Sequence, residues 1–169
     1  MKSQSWFLLF ACLLDVSSVM AEASRPNVLV ITVDDMNCDS VGAFGCKLPD
    51  TTPHTDRLAN QGLKFEYAHV VVGNCMPSRN VMWSGRYPHT NRVEGFYQVK
   101  DADYPVLADL MKQQGYFTGI RGKVSHSTPY SPYGWDLILD KIDGETMHTK
   151  NIQSYYRSAK RGIEASQEA

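Results

Sequence analysis

Within the run Cys75-Met76-Pro77-Ser78-Arg79 a thiol, a hydroxyl and a guanidinium fall inside five residues. Read as a loop that turns at Pro77 into a helix, the run leaves Cys75 near a helix N-terminus. There, unpaired backbone N–H groups and the positive end of the dipole attract anions. Arg79, one turn beyond Cys75, shares its face and offers a planar fork of donors suited to a tetrahedral oxyanion such as sulfate or phosphate. The plain alternative is a loop cysteine ahead of an ordinary helix with a solvated arginine. A pentapeptide alone does not choose between them.

Two further segments carry chemistry. The β-branched run Asn27 to Val33 ends in the adjacent carboxylates Asp34 and Asp35. Two neighbouring acids repel unless a positive charge lies beside them, and a hard divalent cation such as calcium or magnesium prefers that kind of oxygen donor. A solvated turn with a helix cap is the alternative. The third segment, Gly115 to His126, reads as a short strand followed by Lys123 and, three residues on, His126. Lysine neutralises an anionic oxygen as a point charge, and histidine exchanges a proton near neutral pH. Surface positions for both are the alternative. Taken together, the segments supply metal ligands, a nucleophile, an oxyanion clamp and an acid/base.

Those groups need elements to place them. Asn27 to Val33 reads as a central strand buried on both faces, with the acid pair beyond its carboxyl end, where ligand sites of open α/β sheets form. A helix is predicted from Pro53 to Gln61, capped by Thr52 and stopped by Gly62. Leu63 to Ala68 and Tyr116 to Arg121 read as further strands, Pro77 to Ser84 and Tyr104 to Gln114 as helices. The polar tail Asn151 to Ala169 reads as a surface helix or frayed end. Strands alternating with helices predict an α/β fold with a mostly parallel sheet flanked by helices. Thr128 to Trp135, rich in Pro, Tyr and Gly, reads as a packed aromatic turn, with a substrate-side loop as the alternative. His54, His69, His89 and His148 read as surface or structural.

With 43% hydrophobic and 21% charged residues and a net charge of −1, the chain has the composition of a globular domain. No basic stripe points to nucleic acid. Lys2, the apolar stretch Trp6 to Leu14 and the small-residue pattern Val19-Met20-Ala21 read as a signal peptide over residues 1–21, which predicts export to a periplasmic, secreted or lysosomal setting. The apolar stretch is too short for a stable membrane span. Cleavage after Ala21 leaves Cys38, Cys46 and Cys75, an odd number for an exported chain. Cys38 and Cys46 either pair across a short loop or stay free, and spacing does not decide. Zinc is disfavoured, because paired CxxC spacing is missing.

The blocks Arg25-Pro26-Asn27 with Asp34-Asp35, Thr52-Pro53-His54-Thr55-Asp56-Arg57-Leu58 with Gly62, Cys75 to Arg79 with Ser84-Gly85-Arg86, and Gly115-Tyr116 with Gly122-Lys123 and His126 resemble, in order and spacing, the N-terminal part of the type I, formylglycine-dependent sulfatase family. His54 and Thr55 replace the more usual Asn and Leu, and Met76 and Trp83 are less common fillers. The Gly122 to His126 loop and the Asp34-Asp35-Met36 turn resemble iduronate-2-sulfatase-like members. The resemblance implies a partial alkaline-phosphatase-like fold over residues 22–169, truncated because family members are longer and carry further metal and sulfate ligands downstream. It implies that a formylglycine-generating maturation enzyme oxidises Cys75 to an aldehyde, which also removes the odd thiol. It implies calcium, with magnesium as the alternative, held by Asp34, Asp35 and the modified Cys75, with Arg79 holding the aldehyde hydrate and the metal-side charge, and Lys123 and His126 contacting sulfate and the hydrate's second hydroxyl. The implied activity is hydrolysis of sulfate monoesters, of sulfated small molecules or polysaccharides, with the present chain inactive alone. Phosphate or phosphonate ester hydrolysis by the same superfamily site and a non-catalytic secreted remnant are the competing functions.

Overall fold

The structure is a computed structural model that describes residues 25–140 and 151–169. The signal peptide expected over residues 1–21 lies outside the described residues. The chain divides into two units, Met1–Met36 and Asn37–Ala169.

In the first unit, residues 25–36 have no regular secondary structure. The strand expected over Asn27 to Val33 is not formed, and its apolar side chains face solvent, Leu29 being 84% exposed. A strand exists only as a member of a ladder, and its faces are buried only by neighbouring layers. Among the described residues the sheet consists of two other strands, so a β-branched run alone was insufficient. Asp35 takes a left-handed backbone, φ 54°, a region open to Asp because its short polar side chain bonds locally.

The second unit opens with 3-10 turns at Cys38–Ser40 and Gly42–Phe44, followed by α1 (Pro53–Gln61), whose ends match the caps read from Thr52 and Gly62. Asp56, in the first turn of α1, locks this region. Its Oδ1 accepts from Ala43 N at 2.7 Å and from Thr52 Oγ1 at 2.9 Å, while Thr52 Oγ1 accepts from Gly42 N at 2.9 Å. A Cβ on Gly42 would collide with the Asp56 carboxylate, which explains the glycine there. The strand expected over Leu63 to Ala68 is not formed either, and Tyr67 is 89% exposed.

Helix α2 (Cys75–Ser84) begins two residues earlier than expected, from an extended Asn74, and closes on Gly85 in the left-handed conformation, φ 65°. A short α3 (Pro88–Asn91) follows. Helix α4 (Leu107–Gln113) starts three residues later than the expected Tyr104. Proline disfavours helical backbone in the residue before it, so Tyr104 ahead of Pro105 cannot open a helix. Instead Tyr104 enters the core, and α4 is capped where Asp109 Oδ2 accepts from Val106 N at 2.9 Å.

Strands β1 (Gly119–Ile120) and β2 (Leu137–Ile138) pair in parallel, Gly119 opposite Leu137 and Ile120 opposite Ile138. Of the expected strand over Tyr116 to Arg121 only Gly119 and Ile120 are in the ladder, and β2 was not foreseen. Asp136 seals the N-terminal end of the pair. One of its oxygens accepts from both Thr118 N and Thr118 Oγ1 at 2.9 Å, and the other meets Lys112 Nζ at 2.6 Å. Burial pushes the Asp136 carboxyl up, but the bonds from Lys112 and Thr118 outweigh it and hold the group below the usual carboxylate range. The amphipathic α5 (Ile152–Glu168) completes the unit, capped by the Asn151 side chain, which accepts from Ser154 N.

The core gathers Tyr104, Val106 and Ala108 against Trp83, Ala102, Tyr130 and Trp135. Trp83 and Trp135 meet edge to face with centroids 5.8 Å apart. Two polar tips are satisfied, Trp135 Nε1 donating to Thr128 Oγ1 at 3.0 Å and Tyr130 OH bonding the Asp109 carboxylate at 2.7 Å, whereas Trp83 Nε1 is buried without an acceptor among the described residues. Burial first, and then that carboxylate, push the Tyr130 phenol well above its ordinary value. Thr128 to Trp135 is therefore the packed aromatic turn expected. The fold is a partial α/β, alkaline-phosphatase-like one, with helices around a small parallel sheet. Among the described residues no helix is long and apolar enough to cross a membrane.

Candidate active site

Cys75 is the first residue of α2, the position where the backbone N–H groups of the opening turn have no intrahelical partner. Arg79 follows one turn later on the same helix and is half-buried. The chain reaches this helix end a second time through the turn that leaves β1. Gly122 and Lys123 both take left-handed backbone, φ 76° and 53°, and then enter a 3-10 turn, Val124–His126. This sharp reversal at the carboxyl end of a parallel strand carries Lys123 Nζ to 3.9 Å from Cys75 Sγ.

Asn80 holds the two segments together. Fully buried on α2, it donates from Nδ2 to its own helix at Met76 O and across to His126 O, both at 2.9 Å. The His126 backbone is thereby fixed against α2, and its ring meets the edge of Phe96 with centroids 5.3 Å apart. Phe96 stands in a loop tied to the aromatic turn by Val99 N donating to Pro129 O at 2.7 Å. Sequence reasoning missed Asn80 and Phe96. A signal for Asn80 existed: an amide four residues after Met76, ahead of Val81, Met82 and Trp83, sits on the helical face that must be buried.

Chemically, the second unit thus offers one thiol at a helix N-terminus, with an ammonium beside it and a guanidinium one turn along. Positive groups around a single nucleophile position favour an anionic substrate. Asp34 and Asp35 belong to the first unit. Their donor chemistry fits a hard divalent cation, but two carboxylates offer at most four oxygens against the roughly six to eight that calcium takes. Among the described residues no group of three or more His, Cys, Asp and Glu side chains is assembled for a metal. Cys38 and Cys46, for which pairing and free thiols stood open, are both free. His54, His69 and His89 are exposed, as expected, and His148 lies outside the described residues.

The sequence model of the family described as Sulfatase matches residues 26–164. Bovine (Bos taurus) arylsulfatase A is 36% identical over 121 residues, covering 68% of this chain and 24% of that protein. Human (Homo sapiens) iduronate 2-sulfatase is 36% identical over 120 residues, 66% of this chain and 22% of that protein. The ulvan-active sulfatase of Formosa agariphila is 32% identical over 154 residues, 88% of this chain and 30% of that protein. Equal identity to the first two does not separate an iduronate-2-sulfatase-like subgroup from arylsulfatases. No solved structure is significantly similar to the chain. The chain spans about a quarter of the length of the curated relatives it matches. With its cysteine helix start, its lysine turn and a family match along nearly the whole described length, this chain belongs to the sulfatase family.

Proposed function

We propose that the chain forms the N-terminal part of a sulfuric ester hydrolase acting on sulfate monoesters of carbohydrate. The observation that carries this reading is Lys123 Nζ at 3.9 Å from Cys75 Sγ, at the N-terminus of α2. The sulfatase match and the ulvan-active relative support the ester and carbohydrate classes.

In this reading a maturation enzyme converts Cys75 to formylglycine. Formylglycine at residue 75 would supply, as its hydrate, both a hydroxyl nucleophile and a second hydroxyl on the same carbon, the pair that a simple alcohol lacks. Lys123 neutralises a sulfate oxygen as a point charge. Arg79 offers two parallel donors to the same anion and to the hydroxyls of residue 75. His126 moves a proton between the reacting oxygens, its backbone fixed by Asn80. Asp34 and Asp35 carry the oxygen donors that would hold calcium or alternatively magnesium. Such a cation supplies Lewis-acid stabilisation of negative charge. The leader over residues 1–21 directs export.

The test is mass spectrometry of the peptide containing residue 75 after co-expression with a formylglycine-generating enzyme. The lighter aldehyde form is expected, and a plain thiol throughout would overturn the mechanism. Turnover of aryl sulfate against aryl phosphate by the complete protein carrying this sequence then separates the two ester classes. Preference for phosphate would move the reading to a phosphate or phosphonate hydrolase.

A further inference from the structure

The turn that presents Lys123 is costly on its own. Lysine in left-handed backbone is disfavoured by roughly 1–2 kcal/mol relative to the ordinary regions, so the surroundings must impose it. The imposing group is Asp140, two residues beyond β2 and buried with its side chain 8% exposed. Its Oδ1 accepts from the backbone N–H of Gly122, the residue immediately ahead of Lys123. The same oxygen faces Arg121 Nη1 at 3.7 Å, a guanidinium itself only 11% exposed. Arg121 in turn donates from Nη2 to Ser154 Oγ and lies over the Tyr155 ring, 4.7 Å from its centroid, both on α5. A buried carboxylate is tolerated only when paired and hydrogen-bonded. Here both requirements are met by the strand end that leads into Lys123.

We propose that Asp140, held by Arg121 and α5, is a positioning residue for Lys123. It pins the Gly122 peptide and so sets how close the Lys123 ammonium comes to residue 75. The inference rests on the reading of Lys123 as the anion-contacting group, but its test reads geometry rather than turnover. Failure of the one is therefore distinguishable from failure of the other.

The readout is o-phthalaldehyde, which condenses with one amine and one thiol, losing two waters, to a fluorescent isoindole when the two groups lie within bonding reach. The chain is made without maturation enzyme, so that Cys75 remains a thiol, and the Cys75–Lys123 linked peptides are quantified by mass spectrometry. The Cys46–Lys47 pair, adjacent in sequence, serves as internal reference because it does not need the fold. Asp140→Ala is expected to lower the Cys75–Lys123 yield by about tenfold, since small displacements of paired groups cost steeply in effective concentration. Asp140→Asn, which keeps an acceptor for Gly122 N, is expected to restore most of it. Asp136→Ala removes an anchor from the other end of the same strand pair and controls for general loosening. Its yield should stay within about twofold of the parent. An unchanged yield in Asp140→Ala, or an equal loss in Asp136→Ala, overturns the proposal.

Discussion

Lys123 and Cys75 are 48 positions apart in the chain yet meet at 3.9 Å, so each owes its place to backbone features around it. In the complete protein, Lys123→Ala is expected to lower kcat by about 10² to 10³, the loss typical of removing one oriented charge-stabilising donor. Single-turnover kinetics with an aryl sulfate checks it, and a loss below about threefold would remove Lys123 from the anion site. Asn80→Leu leaves the Met76 and His126 carbonyls without their donor and should destabilise by about 1–3 kcal/mol in urea unfolding. The pairing of Cys75 with Lys123 was foreshadowed because a thiol at a helix start and an ammonium just past a strand end are distinctive residue types at element ends. Asn80 was not, because an amide says nothing of its partners until the helix is docked on the Val124–His126 turn.

Helices were readable in this chain and strands were not, for a reason rooted in their bonding. The backbone bonds of α1 close within Pro53–Gln61, so Thr52 and Gly62 announce both ends locally. The run over residues 27–33 offers the same quality of pattern, but its bonds require another segment that no local signal names. The ladder that does form, Gly119–Ile120 with Leu137–Ile138, is short and leans on Asp136. Because the folded state holds the Asp136 carboxyl below its ordinary range, its contribution is present above the unfolded-state pKa. That contribution is lost as pH falls through the folded value. Asp136→Asn should therefore flatten the acid limb of the stability curve below about pH 4, measured by urea midpoints across pH. An unchanged slope would assign acid sensitivity to other carboxylates. Asp56→Ala, which frees Ala43 N and the Thr52 hydroxyl, should cost about 1–3 kcal/mol by the same measurement.

At the scale of the molecule, apolar exposure dominates. Val28 to Ile31 and Val33 in one unit, and Leu63, Phe65, Tyr67, Val70 and Val71 in the other, stand in solvent. Extended apolar segments outside any ladder are templates for association. Light scattering of the chain should show concentration-dependent assembly, relieved by the double substitution Leu29→Lys and Phe65→Lys. Scattering that does not change with concentration in the parent would contradict this. The family was legible across both units because its blocks are matters of spacing; the burial of those segments was not, since burial belongs to whatever packs against them. Stability and chemistry also diverge at one place. Glycine would occupy the φ 53° backbone of residue 123 without the steric cost lysine bears, a relief only partly offset by its looser unfolded chain. A library sorted for thermal endurance alone would drift toward Lys123→Gly, and its winners would be sturdier proteins that have lost the ammonium beside Cys75.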